Sequence, residues 1–187
     1  MIEISNVTFA YKGKKENVLE NFSLSVKKGE RLHLSAPSGK GKTTVLRLIT
    51  GLERAKKGEV SIRENAKISV VFQEDRLIPS QTVFKNVSLF SGDEKAKELL
   101  SKLGLWQVKD SYPNELSGGM KRRLALARAL SKNFDILLLD EAFNGLDEEN
   151  LIKAVKVVEE YLKDKTLILI SHSDKEAQLL KAKTVYL

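Results

Sequence analysis

A stretch rich in glycine and lysine occupies residues 36–43 and reads APSGKGKT. It follows a short predicted strand at Arg31–Ser35 and precedes a helical pattern at 44–50, so we expect a strand, a loop and a helix. Amide N–H groups at a helix N-terminus concentrate positive potential on phosphate oxygens, and glycines let the backbone come close to them. Lys42 would neutralise the outer phosphates of a nucleotide, and the Thr43 hydroxyl would ligate Mg²⁺. The predicted phosphate-binding residues are Pro37, Ser38, Gly39, Lys40, Gly41, Lys42, Thr43 and Thr44.

The first position of this loop is Ala36, where the phosphate-loop pattern has glycine. A β-carbon there would cost about 1 kcal/mol or more if the backbone needed a positive φ angle. The substitution therefore bears on nucleotide affinity. An incidental glycine-rich turn is the alternative interpretation of the stretch.

Two adjacent acids, Asp140 and Glu141, follow an apolar run at 136–139. Such a run predicts a buried strand, and both carboxylates then lie at its carboxyl end. Beside a phosphate loop, Asp140 would bind Mg²⁺ and Glu141 would polarise a water molecule that attacks the γ-phosphate. Taken alone, such a pair is more often a strand end followed by a helix start, and the phosphate loop reverses that preference.

A second anion-binding pattern, LSGGM, occupies residues 116–120 and precedes a helical pattern. Ser117 would cap the helix, and the amides of Gly118 and Gly119 would point at an anion. A plain Ser-Gly-Gly helix cap is the alternative interpretation.

These motifs resemble those of the ATP-binding-cassette (ABC) ATPases, in which the LSGGM-type motif is the family signature. The resemblance covers essentially the whole chain, and the motifs occur in the family's order. It implies that the signature closes over the γ-phosphate of a nucleotide held by another subunit. The expected functional unit is thus a head-to-tail dimer of this chain that holds two ATP molecules.

Further site residues are implied only by this resemblance. Tyr11 falls where the family packs an aromatic ring on adenine, although it could also be a core aromatic at a strand end. Gln73 matches the glutamine that contacts the metal and the attacking water, and His172 matches the histidine that contacts the γ-phosphate. Asp147 matches a loop that crosses the dimer interface, and it also suits a helix cap. With Lys42 and Glu141, Gln73 and His172 complete the expected catalytic set.

The hydrophobic patterns give the expected fold class: α/β, with a phosphate-loop NTPase core and a mostly parallel sheet. Alternating residues near the N-terminus predict antiparallel strands, whereas continuous apolar strands at 136–139 and 167–170 predict parallel ones between helices. Helical spacing at 93–103 and 117–131 predicts a helical signature lobe. The expected organisation is one domain, in which residues 1–74 and 132–187 form the core with its antiparallel β subdomain and residues 75–131 form the lobe.

Composition excludes several classes of protein. The 187 residues include no cysteine, so neither disulfides nor a thiolate zinc site can form, and of the two histidines His33 receives no role. We find neither a signal peptide nor an apolar run long enough to cross a membrane, and expect a cytoplasmic protein on the inner face of the cell membrane. The net charge of +7 is spread along the chain, so no nucleic-acid partner is expected.

The resemblance also implies a task. Separate transmembrane permease subunits would be the partners, together with an extracytoplasmic binding protein if the system imports. Met120 in the signature and the segment FQEDRLIP at 72–79 look like the nitrate, sulfonate and taurine importer branch, which includes importers of pyrimidine precursors. An exporter ATPase and a non-transport ABC ATPase of DNA repair or translation are the alternatives. A GTPase or a small-molecule kinase would lack the signature.

Overall fold

The computed structural model describes residues 1–14, 16–37 and 39–187. Its strands are β1 (Ile2–Phe9), β2 (Leu19–Val26), β3 (Arg31–Ser35), β4 (Lys57–Ile62), β5 (Ile68–Val71), β6 (Ile136–Asp140), β7 (Thr166–Ile170) and β8 (Lys183–Tyr186). Its α-helices are α1 (Lys42–Ile49), α2 (Val83–Ser91), α3 (Asp93–Lys102), α4 (Gly118–Ser131), α5 (Glu148–Leu162) and α6 (Asp174–Leu179). Short 3-10 helices lie at Trp106–Val108 and Pro113–Glu115. Within the described ranges, none of the helices combines the length and the apolar character of a membrane span.

The antiparallel sheet has the strand order β2-β1-β4. Its apolar residues alternate with exposed ones along β1, as the sequence pattern predicts for a sheet with one buried face. The register between β1 and β4 shifts after Ser5, next to Asn6, which has a φ of 50°. At this irregularity Gly58 has a φ of 78°, and a β-carbon on it would lie 2.4 Å from the carbonyl oxygens of Ser5 and Asn6. Only glycine fits this close approach of two backbones.

The parallel sheet has the strand order β5-β6-β7-β3-β8. All five residues of β6 and of β7 are buried, since helices and the antiparallel sheet cover both faces. The carboxyl ends of β3, β6 and β7 meet at one edge, where the loop after β3 leads into α1. This edge is where a ligand site is expected in an open parallel sheet.

The helices α2, α3 and α4 pack on one another beside the parallel sheet, around the buried side chains of Val87, Leu99 and Leu124. Asn86 is fully buried in α2, and its side-chain amide donates to the carbonyls of Ile78, Gln81 and Thr82. This amide therefore fixes the loop that leads into α2.

The predicted fold class is confirmed: the chain combines a parallel sheet, an antiparallel sheet and helices. The predicted elements lie within a few residues of their predicted bounds, as α1 begins at Lys42 and not at residue 44. The sequence did not predict α2 as a separate helix. Its Val-Phe-Lys-Asn-Val run is equally compatible with a strand, and Thr82 supplies the cap by accepting a hydrogen bond from Lys85 N–H.

Candidate functional site

A cavity of about 400 Å³ opens at the carboxyl edge of the parallel sheet. This volume is within the range of small-ligand sites. Its lining combines the loop before α1 and the start of that helix, residues that end or follow β5, β6 and β7, and residues of the connection between β1 and β2. The lining residues are Tyr11, Val18, Gly39, Gly41, Lys42, Thr43, Thr44, Gln73, Asp140, Glu141, Ile170 and His172.

Lys42 is held by its own loop. Its Nζ donates to the carbonyl of Ala36 at 2.6 Å and to that of Pro37 at 3.4 Å, and the residue is only 7% exposed. A phosphate oxygen entering the cavity would replace these acceptors with a charged one, which makes a stronger hydrogen bond.

The N-terminus of α1 opens toward the cavity. Gly41 precedes the helix in the left-handed region, no described side chain caps the helix, and its first turn contains no acid. The free N–H groups and the helix dipole there favour an anion. Ala36 is not among the described residues with positive φ, so its β-carbon imposes no left-handed strain. Pro37 and Lys40 are exposed beside this loop, and the predicted contribution of Ser38 lies outside the described residues.

Asp140 ends β6 with a carboxyl group that is 1% exposed, and neither oxygen has a hydrogen-bond partner among the described residues. Burial raises its pKa, the charges of Glu141 and Glu74 raise it further, and the Thr43 hydroxyl and Lys42 lower it. A bound cation stabilises the charged form of a buried carboxylate. Mg²⁺ prefers carboxylate and hydroxyl oxygens, so Asp140 and the adjacent Thr43 fit that ion.

Glu141 and His172 face each other across the mouth of the cavity, with Glu141 Oε1 3.5 Å from His172 Nε2. Glu141 has a φ of 51°, while its N–H donates to the carbonyl of Ile170 at 2.9 Å. Left-handed backbone costs a non-glycine residue about 1–2 kcal/mol. Strain of this kind is typical of functional sites, and here it turns the Glu141 carboxylate toward His172.

Tyr11 lies at the rim of the cavity. Its hydroxyl is 2.9 Å from the Thr44 hydroxyl, and its ring stands edge-on to Phe9 at 5.0 Å. The ring is half-buried, so a flat ligand can reach the part that Phe9 and the helix leave uncovered.

Gln73 is exposed in the loop after β5, and an arginine from α4 holds its backbone. Arg122 donates to the carbonyl of Phe72 at 2.9 Å and to that of Gln73 at 2.6 Å, and it lies 3.3 Å from an Asp75 carboxyl oxygen. The signature helix and the Gln73 loop are therefore tied together by one guanidinium group, which is well suited to several acceptors at once.

The signature residues lie outside the cavity of their own chain. Ser117 caps α4 by accepting from Met120 N–H, as predicted, and both Ser117 and Gly118 are exposed. A β-carbon on Gly119 would lie 3.3 Å from the carbonyl oxygen of Gly145. Asp147 caps α5, since its Oδ1 accepts from Asn150 N–H at 2.8 Å.

The structure thus brings one group of predicted residues together and leaves another group apart. Gly39, Gly41, Lys42, Thr43 and Thr44 of the phosphate loop share the cavity with Tyr11, Gln73, Asp140, Glu141 and His172. Pro37, Lys40, the signature and Asp147 do not line it. Sequence reasoning missed the lining residues Val18 and Ile170. It also missed Arg122, for which the only signal was its position in the helix that follows the signature.

Comparisons with known proteins agree with this geometry. The sequence pattern of the family described as ABC transporter matches residues 19–144. The aliphatic sulfonates import ATP-binding protein SsuB 1 of Rhodococcus jostii is 36% identical over 195 residues, which span 100% of this chain and 80% of that protein. The arginine transport ATP-binding protein ArtM of Bacillus subtilis is 35% identical over 196 residues, which span 92% of this chain and 81% of that protein.

Among solved structures, the chain resembles the ATP-binding cassette MJ0796 in a dimeric post-hydrolysis state bound to ADP and Pi. The TM-score is 0.90 and the identity 32%, over 100% of this chain and 94% of the other. The family match, the relatives and the fold agree with a cavity whose lysine, helix N-terminus and buried carboxylate suit a nucleotide with its metal. The chain is an ATP-binding ATPase of the ABC transporter family.

Proposed function

We propose that this chain is the ATP-hydrolysing subunit of a bacterial ABC importer and that each residue predicted from the sequence acts at the cavity or across a dimer interface. The observation that supports this most directly is the buried, unpartnered Asp140 beside Lys42 and Thr43, with Glu141 and His172 at the cavity mouth. Burial of an acid destabilises a fold, so the position of Asp140 is explained by a role at this site and not by a contribution to folding.

The phosphate loop would hold the phosphates of ATP. Lys42 and the amides of residues 39–44 contact the β- and γ-phosphates, Tyr11 packs on the adenine, and Thr43, Asp140 and Gln73 are the ligands for Mg²⁺. The bound ion would neutralise charge on the phosphate oxygens during transfer.

Hydrolysis would take place at the mouth of the cavity. The Glu141 carboxylate accepts a hydrogen bond from a water molecule and orients its oxygen toward the γ-phosphorus, while His172 contacts a γ-phosphate oxygen. The bond from the water oxygen to the γ-phosphorus forms as the bond from the γ-phosphorus to the bridging oxygen breaks, and the proton that the water loses passes by way of Glu141 to a phosphate oxygen, leaving ADP and phosphate. Gln73 would contact the same water.

A second copy of the chain would complete each site. Ser117 and Gly118 are exposed, Gly119 is half-buried, and none of the three lines the cavity of their own chain, so an anion bound by them would not be one held in that cavity. A head-to-tail dimer provides that anion as the γ-phosphate of the partner's ATP, with Asp147 near the interface. The related cassette MJ0796 has been solved as a dimer with ADP and Pi.

Residues 75–131 would act as a lobe that moves against the core at 1–74 and 132–187. Arg122 supports this because it joins α4 to the backbone of Gln73, the one proposed metal ligand on the loop that leads to the lobe. Dimer closure on ATP and opening after hydrolysis then form two states that separate membrane subunits can follow.

Import is the proposed direction, at the cytoplasmic face of the cell membrane, with transmembrane permease subunits and an extracytoplasmic binding protein as partners. This rests on relatives named for the import of aliphatic sulfonates and for the transport of arginine. An exporter ATPase and a non-transport ABC ATPase remain the competing functions. Co-purification with an adjacent-gene permease would exclude the non-transport function, and an adjacent gene for an extracytoplasmic binding protein would establish import.

The first test is ATP hydrolysis by the purified chain over a concentration series, with size-exclusion chromatography in ATP and Mg²⁺. Specific activity should rise with concentration because two chains make each site. Glu141→Gln should remove hydrolysis and elute as an ATP-bound dimer. Glu64→Gln, the same change at an exposed position outside the cavity, is the matched control and should behave as the wild type.

Specific activity that is independent of concentration and unaffected by Glu141→Gln would contradict the composite site. Loss of hydrolysis in both variants would instead point to a preparation artefact and would not support the proposal.

A further inference from the structure

His33 is a fully buried histidine in β3, the strand between β7 and β8. It lies opposite Leu169 on one side and Thr184 on the other. Its Nδ1 is 3.1 Å from the Thr184 hydroxyl, and its Nε2 is 3.0 Å from the carbonyl oxygen of Ser171. Both ring nitrogens therefore have a partner, and the ring connects the edge strand β8 to the end of β7.

The partners determine which nitrogen carries the hydrogen. A carbonyl oxygen can only accept, so the Nε2 of His33 must donate to Ser171. Nδ1 can then accept from the Thr184 hydroxyl, which is able to donate as well as accept. This arrangement fixes the orientation of the ring within the sheet.

Ser171 immediately precedes His172, so its carbonyl belongs to the peptide group that leads into the proposed γ-phosphate contact. Outside the regular ladders and helices, no backbone N–H of the described residues donates to that carbonyl. The neighbouring contacts hold the peptides on each side: Glu141 N–H donates to Ile170, and Ser173 N–H donates to the Ser171 hydroxyl.

The side chain of His172 is 55% exposed, so packing does little to hold it. Its place 3.5 Å from Glu141 depends on the backbone that carries it. The contact from His33 acts directly on that backbone, one residue away and from inside the sheet.

We propose that His33 is a positioning residue for ATP hydrolysis: its Nε2–H, oriented by Thr184, fixes the Ser171 carbonyl and so holds His172 beside Glu141 and the γ-phosphate. The proposal rests on the proposed role of His172 in the preceding section. His33 touches neither substrate nor metal, so it should affect the rate of hydrolysis and leave the binding of nucleotide unchanged.

The variant that tests this is His33→Leu, which keeps an apolar side chain of similar size and removes both hydrogen bonds. We expect kcat to fall about 10-fold or more, since small displacements of a catalytic group cost up to about 100-fold. The affinity for trinitrophenyl-ATP should stay unchanged. His33→Gln, whose amide can donate to the same carbonyl, should restore most of kcat. If His33 only filled space in the core, the Gln variant would have no such advantage over the Leu variant.

His172→Ala separates this proposal from the proposed function. If His172→Ala and His33→Leu both lose hydrolysis, the double variant should be no slower than His172→Ala alone, because the two act through one group. An additive double variant, or a folded His33→Leu with wild-type kcat, would overturn the positioning role while leaving that of His172 intact. If His172→Ala hydrolyses ATP normally, the role of His172 fails, and the positioning role fails with it.

Thr184→Val provides the answer if His33→Leu does not fold. It removes only the hydroxyl that orients the ring, and it should lower kcat to an intermediate value with unchanged nucleotide affinity; wild-type kcat would overturn the proposal. Imidazole ¹⁵N spectra give an independent readout, because the chain has only two histidines. The His33 signals should show the hydrogen on Nε2, and a hydrogen on Nδ1 alone would contradict the proposed contact.

Discussion

At the residue scale, the buried carboxylate of Asp140 lowers the stability of the fold although the proposed site requires it. Its carboxyl group is buried without a hydrogen-bond partner among the described residues, and burial raises its pKa. The native state therefore disfavours the charged form. That penalty is absent below the ordinary carboxyl pKa, grows as the pH rises from there to the raised pKa of the folded state, and is fully present above it.

We predict that Asp140→Asn raises stability at neutral pH by about 1–3 kcal/mol in the absence of nucleotide and abolishes hydrolysis. The gain in stability should shrink as the pH falls, since the wild-type carboxyl group then becomes protonated. Thermal unfolding followed by circular dichroism at several pH values measures this, beside ATP hydrolysis at neutral pH. Asp164→Asn, at an exposed acid, is the control. Equal stability of Asp140→Asn and wild type at every pH would contradict the prediction.

Much of the cavity could be predicted from the sequence because the residues come in contiguous motifs next to buried strands. The phosphate loop and the Asp140-Glu141 pair each lie within a few residues of the strand or helix pattern that identifies them. Arg122 and His33 could not be predicted, since each acts on a backbone carbonyl about 50 or more residues away in the chain. No local pattern records such a contact.

At the scale of elements, strands buried on both faces are the most predictable part of the fold. Within the apolar runs of β6 and β7, neither face carries the polar residues that a solvent-exposed face would need, so both faces must be buried. The irregularity between β1 and β4 was not predictable, because it depends on how two strands distant in sequence approach one another. The same is true of α2, whose loop is organised by the buried amide of Asn86.

Gly58 provides a test at this scale. We predict that Gly58→Ala destabilises the chain by about 1–3 kcal/mol or more, because its β-carbon would meet the carbonyl oxygens of Ser5 and Asn6 at 2.4 Å. Urea unfolding measures the loss. Gly51→Ala is a matched control, as Gly51 also has a positive φ, of 70°, but has no described atom within 4 Å of the added carbon. Equal losses in the two variants would show that left-handed strain alone is responsible.

At the scale of the whole molecule, the nucleotide cavity and the signature are separate: the first is a recess in the chain and the second lies on its surface. The cavity holds Lys42 in its interior, while Ser117 is exposed at the start of α4. In the proposed dimer one chain supplies the lysine of a site and its partner supplies the serine. The sequence alone could suggest this division only through the family resemblance, since the spacing of the motifs does not tell one chain from two.

Mixing two inactive variants tests that division. We predict that Lys42→Ala and Ser117→Arg chains are each inactive alone and regain hydrolysis when mixed, because each heterodimer then has one site with both residues intact. Steady-state phosphate release measures the recovery. A mixture of Lys42→Ala with Lys42→Met chains is the control and should stay inactive. Failure of the first mixture to recover, with dimers present on size exclusion, would contradict the head-to-tail arrangement.

The packing of Gly119 on Gly145 has a mechanical consequence. A β-carbon on Gly119, at the start of α4, would lie 3.3 Å from the carbonyl oxygen of Gly145, so a larger residue there would press on the backbone that leads into Asp147. In the proposed dimer the start of α4 contacts the nucleotide of the partner, and Asp147 lies near the interface. The close approach therefore implies that a displacement of α4 on nucleotide binding would also displace the segment before Asp147.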